Sequence, residues 1–170
     1  SYALVQLCRL KGHEIVVDTM CGNGSLGLDA CKSFKHVQAL NGDNSEPSVR
    51  RCFQNAQLSE GVGTSKMQVV RWDASCLPLR SGTVDVVVTD MPFGKKVGTK
   101  ENNKAMYPGW IEEISRILKP GTGRAVLLTT ERLMLDKILA NDKQTIWNCI
   151  DKRGVWIGGT RAMIYVLLRK

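Results

Sequence analysis

Two short stretches of this chain combine residue types that can do chemistry. The first, Asp18-Thr19-Met20-Cys21-Gly22-Asn23-Gly24-Ser25-Leu26-Gly27, sets a carboxylate ahead of three glycines spaced Gly-x-Gly-x-x-Gly. Glycines in such a turn let a ligand approach the backbone, and the helix that follows turns its N-terminus toward it. The spacing is that of a nucleotide-binding turn, though a merely tight turn has the same form. The second stretch, Thr89-Asp90-Met91-Pro92-Phe93-Gly94-Lys95-Lys96, gathers a carboxylate, a rigid proline, an aromatic ring and two cations. Its plain reading is a loop whose Phe93 plugs the core.

The acidic residues decide between ligands for the first stretch. Asp18 stands just before the glycines, where it would repel a pyrophosphate but accept hydrogen bonds from a cation or an amine. S-adenosyl-L-methionine carries both an ammonium and a sulfonium. Asp43, followed by Asn44, lies nineteen residues beyond Gly24 at a predicted strand end, where a carboxylate can hold the two hydroxyls of a ribose. Asp73, followed by Ala74, ends a third predicted strand and can accept from an adenine amine. Three carboxylates at successive strand ends favour S-adenosyl-L-methionine over NAD, with Asp18, Cys21, Gly22, Gly24, Asp43, Asn44, Asp73 and Ala74 as its expected binding residues. Taken singly, Asp43 also reads as a turn former and Asp73 as a helix cap.

Apolar β-branched runs alternate with amphipathic stretches from residue 14 to residue 141, which is the pattern of βαβ units on a mostly parallel sheet. The predicted strands are 14–19, 37–40, 67–71, 84–89 and 124–129. Helices are expected over 25–34, 47–58, 108–118 and 132–140, the third starting at Pro108. Two closing strands near 146–156 and 160–168, parted by Gly158-Gly159, predict an antiparallel hairpin. The 170 residues suit one domain, residues 1–170. The chain opens Ser-Tyr-Ala-Leu in a helix-like stretch without Met, so a piece of a longer protein is expected.

Composition narrows the class. An apolar share of 43% with 24% charged residues excludes collagen-like and broadly disordered chains. Apolar runs such as Ala125–Leu128 fall far short of the ~20 residues of a membrane span, so no membrane association is expected. The net charge of +8 favours a polyanionic partner. Six cysteines at least ten residues apart give no Cys-x-x-Cys pair, and His13 and His36 stand alone, so no metal is assigned. Cysteine usage of this kind suits a reducing interior; the cytoplasm is expected, and the nucleus is compatible.

The second stretch carries a resemblance. Asp-x-Pro-Phe after a fourth strand is similar to the acceptor-amine motif of class I S-adenosyl-L-methionine-dependent methyltransferases, which act on nitrogens conjugated to a ring or carbonyl. Asp18–Gly24, Arg71-Trp72-Asp73, Cys76-Leu77-Pro78-Leu79-Arg80, Thr89–Lys95, Gly123–Leu128 and Gly158-Gly159-Thr160-Arg161-Ala162 together resemble the methyltransferase domain of the eukaryotic THUMP-domain tRNA guanine-N2-methyltransferases, acceptor-stem branch. Thr19, Asn23 and Asp29 stand where that family usually has Pro, Thr and Glu. The resemblance implies a class I Rossmann-like fold with a mostly parallel seven-stranded sheet and a C-terminal antiparallel hairpin. It implies methyl transfer to the exocyclic N2 of a guanine in tRNA. Asp90, Met91 through its carbonyl, Pro92 and Phe93 would then form the catalytic stretch. Phe93 would stack on the base for roughly 1–3 kcal/mol. Lys95 and Lys96 would meet the RNA in a basic loop running to Lys104.

The resemblance further implies a missing amino-terminal THUMP domain and a small zinc-binding activator subunit along the edge strand at Met67–Val70. Other readings stay open on the residues alone: N-methylation of adenine or of a protein glutamine, a non-catalytic RNA-binding module, or a dehydrogenase built on the glycine turn.

Overall fold

The computed structural model describes residues 1–58, 64–92, 100–141 and 146–170, with 100–104 described by their backbone. Phe93, Lys95 and Lys96 lie outside the described residues. The chain runs α1 (Tyr2–Leu7), β1 (Ile15–Asp18), α2 (Ser25–Ser33), β2 (Gln38–Asp43), α3 (Glu46–Leu58), β3 (Lys66–Arg71), β4 (Val86–Asp90), α4 (Lys100–Ile117), β5 (Arg124–Thr129), α5 (Arg132–Asn141), β6 (Trp147–Ile157) and β7 (Thr160–Arg169). One seven-stranded sheet has the order β3-β2-β1-β4-β5-β7-β6. Strands β1 to β5 pair in parallel, and β7 runs antiparallel between β5 and β6. This is the class I architecture that the sequence led us to expect.

The sheet is buried on both faces, which explains the continuous apolar runs. Period-two alternation sends Val16, Val86, Val88 and Val126 toward α1 and α2, where they meet Leu4, Val5, Leu26 and Ala30. Val17, Val87, Ala125, Leu127 and Tyr165 face the other way, onto Trp110, Ile111, Ile114 and Leu135 of α4 and α5. After β3 the chain crosses back to β4 on the far side of β1. Adjacent strands therefore lead away in opposite directions at the β1–β4 seam, and a crevice opens at their carboxyl ends.

Four expectations need correction. The fourth helix starts at Lys100, not at Pro108, which sits inside it. Proline favours the first helical turn, hence the sequence reading. Here the turns before it are held by Tyr107, which is fully buried beside Trp110 at 5.4 Å between ring centres. Lys100 and Lys104 accordingly belong to a helix and not to a basic loop. The second strand continues through Asn41 and Gly42 to Asp43, because Asn41, Gly42 and Asp43 pair with Val69, Val70 and Arg71 of β3. The third strand ends at Arg71, leaving Asp73 two residues beyond it. The terminal hairpin is as expected, with Gly158 and Gly159 at φ 52° and 78°, values that the two-residue turn demands and that only glycine adopts freely.

Candidate active site

Strands β2, β1 and β4 are neighbours, and each ends on an acidic residue: Asp43, Asp18 and Asp90. The fold thus brings three of the four predicted carboxylates to one edge. Asp18 is the most enclosed, at 2% exposure. Its Oδ1 accepts from the Thr89 hydroxyl at 2.9 Å and the Met20 N–H at 3.3 Å, and Thr89 in turn accepts from the Thr19 hydroxyl at 3.4 Å. Among the described residues Oδ2 has no protein donor. Burial pushes the Asp18 pKa up to about 7; the bonds from Thr89 and Met20 oppose the shift, and the charges of Asp90 and Asp43 add to it.

The glycine turn hangs from its neighbours. Cys21 N–H donates to the Gly42 carbonyl at 2.9 Å, Gly24 N–H to the Cys21 carbonyl at 2.8 Å, and Asn55 of α3 to the Asn23 carbonyl at 2.9 Å. Gly24, at φ 81°, caps α2, and a Cβ there would stand 2.5 Å from the Cys52 sulfur. Gly22, at φ 54°, faces the opposite situation: a Cβ there would meet nothing within 4 Å. Its backbone is open to a ligand. Cys21 itself is buried, its thiol donating to the Gly22 carbonyl at 3.9 Å, and the neighbouring Cys52 thiol together with burial pushes its pKa up.

Asp43 binds the turn directly, Oδ2 accepting from the Gly22 N–H at 3.0 Å and Oδ1 from the Ser45 N–H at 2.9 Å. A carboxylate has about four lone-pair positions, so two remain for a ligand. Asn44 is exposed beside it, its carbonyl accepting from Arg71 at 3.2 Å. Asp73 lies exposed, its Oδ1 taken by the Ser75 N–H at 2.8 Å and hydroxyl at 2.6 Å. These bonds hold its pKa below the usual carboxylate value. No helix follows it, so the capping alternative falls. Ala74 is buried in the core, which leaves only its backbone for a ligand.

Asp90 closes β4 in an exposed position, yet enough protein surrounds its carboxyl for desolvation to raise its pKa to about 6. Met91 buries its side chain at 1% exposure and donates its N–H to the Leu128 carbonyl at 2.9 Å. Pro92 is half-buried, and its carbonyl lies 3.5 Å from the Tyr107 hydroxyl. That hydroxyl is also 2.7 Å from Thr129 Oγ1, which accepts from the Glu131 N–H at 2.9 Å.

Sequence reasoning missed four residues of this neighbourhood. Thr89 bonds Asp18 across the β1–β4 seam, and Trp72 donates its indole N–H to the Thr19 carbonyl at 3.0 Å beneath the turn. Tyr107 and Thr129 brace the Pro92 backbone. Each is a neighbour of a residue that was singled out, or lies on an apolar face, and only the tertiary contact gives it a role. Among the described residues no group of three or more His, Cys, Asp or Glu could hold a metal ion, and no helix is long and apolar enough to cross a membrane.

The arrangement suits a bipartite ligand. A carboxylate oxygen with no donor among the described residues, an unobstructed glycine backbone and a second carboxylate suit the ammonium and adenosyl parts of S-adenosyl-L-methionine. Among characterised proteins, the chain is 37% identical to the Mus musculus tRNA (guanine(6)-N(2))-methyltransferase THUMP3, over 99% of this chain and 35% of that protein. It is 32% identical to the Bos taurus U6 snRNA (guanine-N(2))-methyltransferase THUMPD2, over 77% of this chain and 25% of that protein. The chain thus spans about a third of the length of the first of these relatives, 35%. The crystal structure of TrmN from Thermus thermophilus superimposes with a TM-score of 0.82 at 25% identity, covering 99% of this chain and 47% of the other. A family profile matches residues 1–163, from α1 into β7 and through every strand that ends on a site carboxylate; the chain belongs to the RMKL-like methyltransferase domain family, UPF0020.

Proposed function

We propose that this domain transfers a methyl group from S-adenosyl-L-methionine to the exocyclic N2 of a guanine in tRNA. The observation that carries the reading is the row Asp43, Asp18, Asp90 on three adjacent strand ends, with the glycine turn on one side of the seam and Met91-Pro92 on the other. The likeness to proteins named for guanine-N2 methylation supports it.

When bound, S-adenosyl-L-methionine would supply an electrophilic methyl group, the S–CH3 bond breaking as the sulfonium leaves as a neutral thioether. The protein's share is positioning. Asp18 Oδ2 would hold the ammonium, Asp43 would accept from the ribose hydroxyls, Asp73 would accept from the adenine amine, and the backbone of Gly22 and Gly24 would lie against the ligand. Across the seam, Asp90 and the Met91 carbonyl accept the two hydrogens of the exocyclic amine and aim its nitrogen. As that nitrogen becomes positive, both hydrogen bonds strengthen, and the Asp90 carboxylate takes the proton that leaves. With a pKa of about 6, Asp90 is ionised at neutral pH and returns the proton to water. Phe93 would stack on the base, and Lys95 and Lys96 would meet phosphates.

The test is nucleoside analysis after incubation with labelled S-adenosyl-L-methionine and either tRNA or U6 snRNA transcripts. Label in N2-methylguanosine from tRNA is expected. Label confined to U6, or in adenosine, would overturn the substrate assignment; binding of the methyl donor without transfer would make the domain a non-catalytic module.

The resemblance also motivates a partner, a small zinc-binding activator subunit on β3. In its support, β3 is an edge strand, Val70 is exposed on it, and Phe53 and Leu58 are exposed on α3, which packs beside it. Co-purification with the activator should be lost in Val70→Asp. A THUMP domain elsewhere in the whole protein would add RNA affinity through effective concentration, by ~10²–10⁴.

A further inference from the structure

The β6–β7 hairpin ends in a feature that the methyl-transfer reading does not use. Trp156 is 75% exposed and pairs directly with Arg161 across the ladder, beside the Gly158-Gly159 turn. Directly opposed residues project from the same face of a sheet. Arg161 alternates with Met163 and Tyr165, so both side chains stand on the face that α4 and α5 cover elsewhere. Helix α5 reaches Tyr165, whose hydroxyl donates to the Arg132 carbonyl at 3.2 Å and Asp136 at 2.9 Å. Lys152, opposite Tyr165, is tied to the same Asp136 at 2.6 Å. Between Lys152 and Trp156 this face carries only Gly154, and a Cβ there would meet nothing within 4 Å. The result is a bare strip with an indole at its end and a guanidinium beside it. Among the described residues the Arg161 side chain has no ion-pair or hydrogen-bond partner, whereas Lys152 and Arg153 of the same hairpin are paired.

The strip lies at the working edge. Asp90, Leu128, Ile164 and Arg153 are in register across β4, β5, β7 and β6, and β6 runs on toward the carboxyl ends of the parallel strands. Three interstrand steps of ~4.8 Å and three residues of ~3.3 Å put the Trp156 backbone about 17 Å from that of Asp90 in the plane of the sheet, with the two side chains leaving opposite faces at its carboxyl edge. That distance is roughly five steps of a stacked nucleic-acid strand at ~3.4 Å each. An unpaired cation next to a flat ring is complementary to phosphate next to base, and the chain's charge of +8 has the sign for that partner.

We propose that Trp156 and Arg161 form a second RNA contact, the indole stacking on a base about five nucleotides from the guanine presented to Asp90 and the guanidinium bonding the adjoining phosphate. The proposal rests on the reading of the domain as an RNA methyltransferase. The experiment measures binding of a fluorescent tRNA transcript at two salt concentrations by the chain and by Trp156→Ala, Trp156→Phe and Arg161→Ala. S-adenosyl-L-methionine calorimetry and thermal melting on each variant serve as controls. Trp156→Ala should weaken RNA binding about tenfold or more, and Trp156→Phe should keep most of it. Arg161→Ala should weaken it a few-fold and lower the slope of log affinity against log salt by about one. Methyl-donor affinity and melting temperature should not change.

Wild-type RNA affinity in Trp156→Ala, or no RNA binding by the unmodified chain at low salt, overturns the proposal. So does sedimentation in which Trp156→Ala dissolves a dimer while RNA binding stays intact, since the face would then belong to a second copy. Because binding is read without turnover, a chain that grips RNA through Trp156 yet makes no N2-methylguanosine refutes the methyl-transfer reading alone. Methylation with an unchanged KM in Trp156→Ala refutes this one alone.

Discussion

If Asp18 holds the cationic end of the methyl donor, affinity must follow its ionisation. Its buried carboxyl has a pKa of about 7 against an ordinary 3.8, and a protonated Asp18 offers an ammonium no charge. At pH 6 roughly one Asp18 in eleven is ionised, and at pH 8 roughly ten in eleven, so the Kd for S-adenosyl-L-methionine should be about tenfold larger at pH 6, or ~1.4 kcal/mol. Binding at pH 6 should also release close to one proton, and at pH 8 almost none. Calorimetry in two buffers of different ionisation enthalpy reads both quantities. Asp90 titrates in the same region, with a pKa of about 6, so the measurement is repeated on Asp90→Asn. The pH dependence should survive in that variant and vanish in Asp18→Asn. A flat Kd between pH 6 and 8 with no proton release would refute the assignment. The same shift acts on stability. The folded pKa is raised, so the contribution of the neutral carboxyl is fully present below about pH 4 and is lost as pH rises through about 7. A melting temperature that falls across that window in the free protein, and recovers with the methyl donor, is the expected signature.

Asp90→Ala should abolish methyl transfer while leaving S-adenosyl-L-methionine affinity within a few-fold, since the proposed role of Asp90 is toward the acceptor; near-wild-type turnover would remove it from catalysis. Asp43→Ala should weaken methyl-donor binding by about 1.5–3 kcal/mol per charged hydrogen bond lost and also free the Gly22 N–H, both visible by calorimetry. Tyr107→Phe deletes the hydroxyl that lies between Thr129 and the Pro92 carbonyl, so kcat should fall with methyl-donor Kd unchanged, and equal losses in both would make its role merely structural.

Periodicity and glycine placement made most of this fold legible, because the central strands are apolar for a physical reason that shows in the letters: both their faces are covered. Asn41-Gly42 was harder. In isolation it is a turn pair, but Asn41 is buried and bonds the Gln68 carbonyl at 3.3 Å, and a Cβ on Gly42 would fall 2.1 Å from the Trp72 ring. Strand pairing and a distant indole set those two positions, and neither is local information. Pro108 misled for the same reason, a fully buried Tyr107 outweighing the proline's preference for a first turn. At the site, Asp18 and Asp90 could be picked out because the apolar runs ahead of them mark the ends of β1 and β4. Thr89 could not, since a threonine inside a β-branched strand looks like any other until Asp18 is seen across from it.

The reversal of strand order at β1–β4 has a consequence for inheritance. Everything assigned to the methyl donor lies within residues 15–74, and everything assigned to the acceptor lies in the length that begins at Asp85 and β4, so each role occupies one unbroken length of chain. The two lengths meet along a ladder with two registered pairs, Val16 with Val86 and Val17 with Val87. Side chains pin its ends: Asp85 accepts the Ile15 N–H at 3.0 Å below, and Thr89 bonds Asp18 at 2.9 Å above. A protein divided this way can trade its second half for one that reads a different RNA and keep its methyl donor, provided the incoming piece brings an aspartate and a threonine to those two pins.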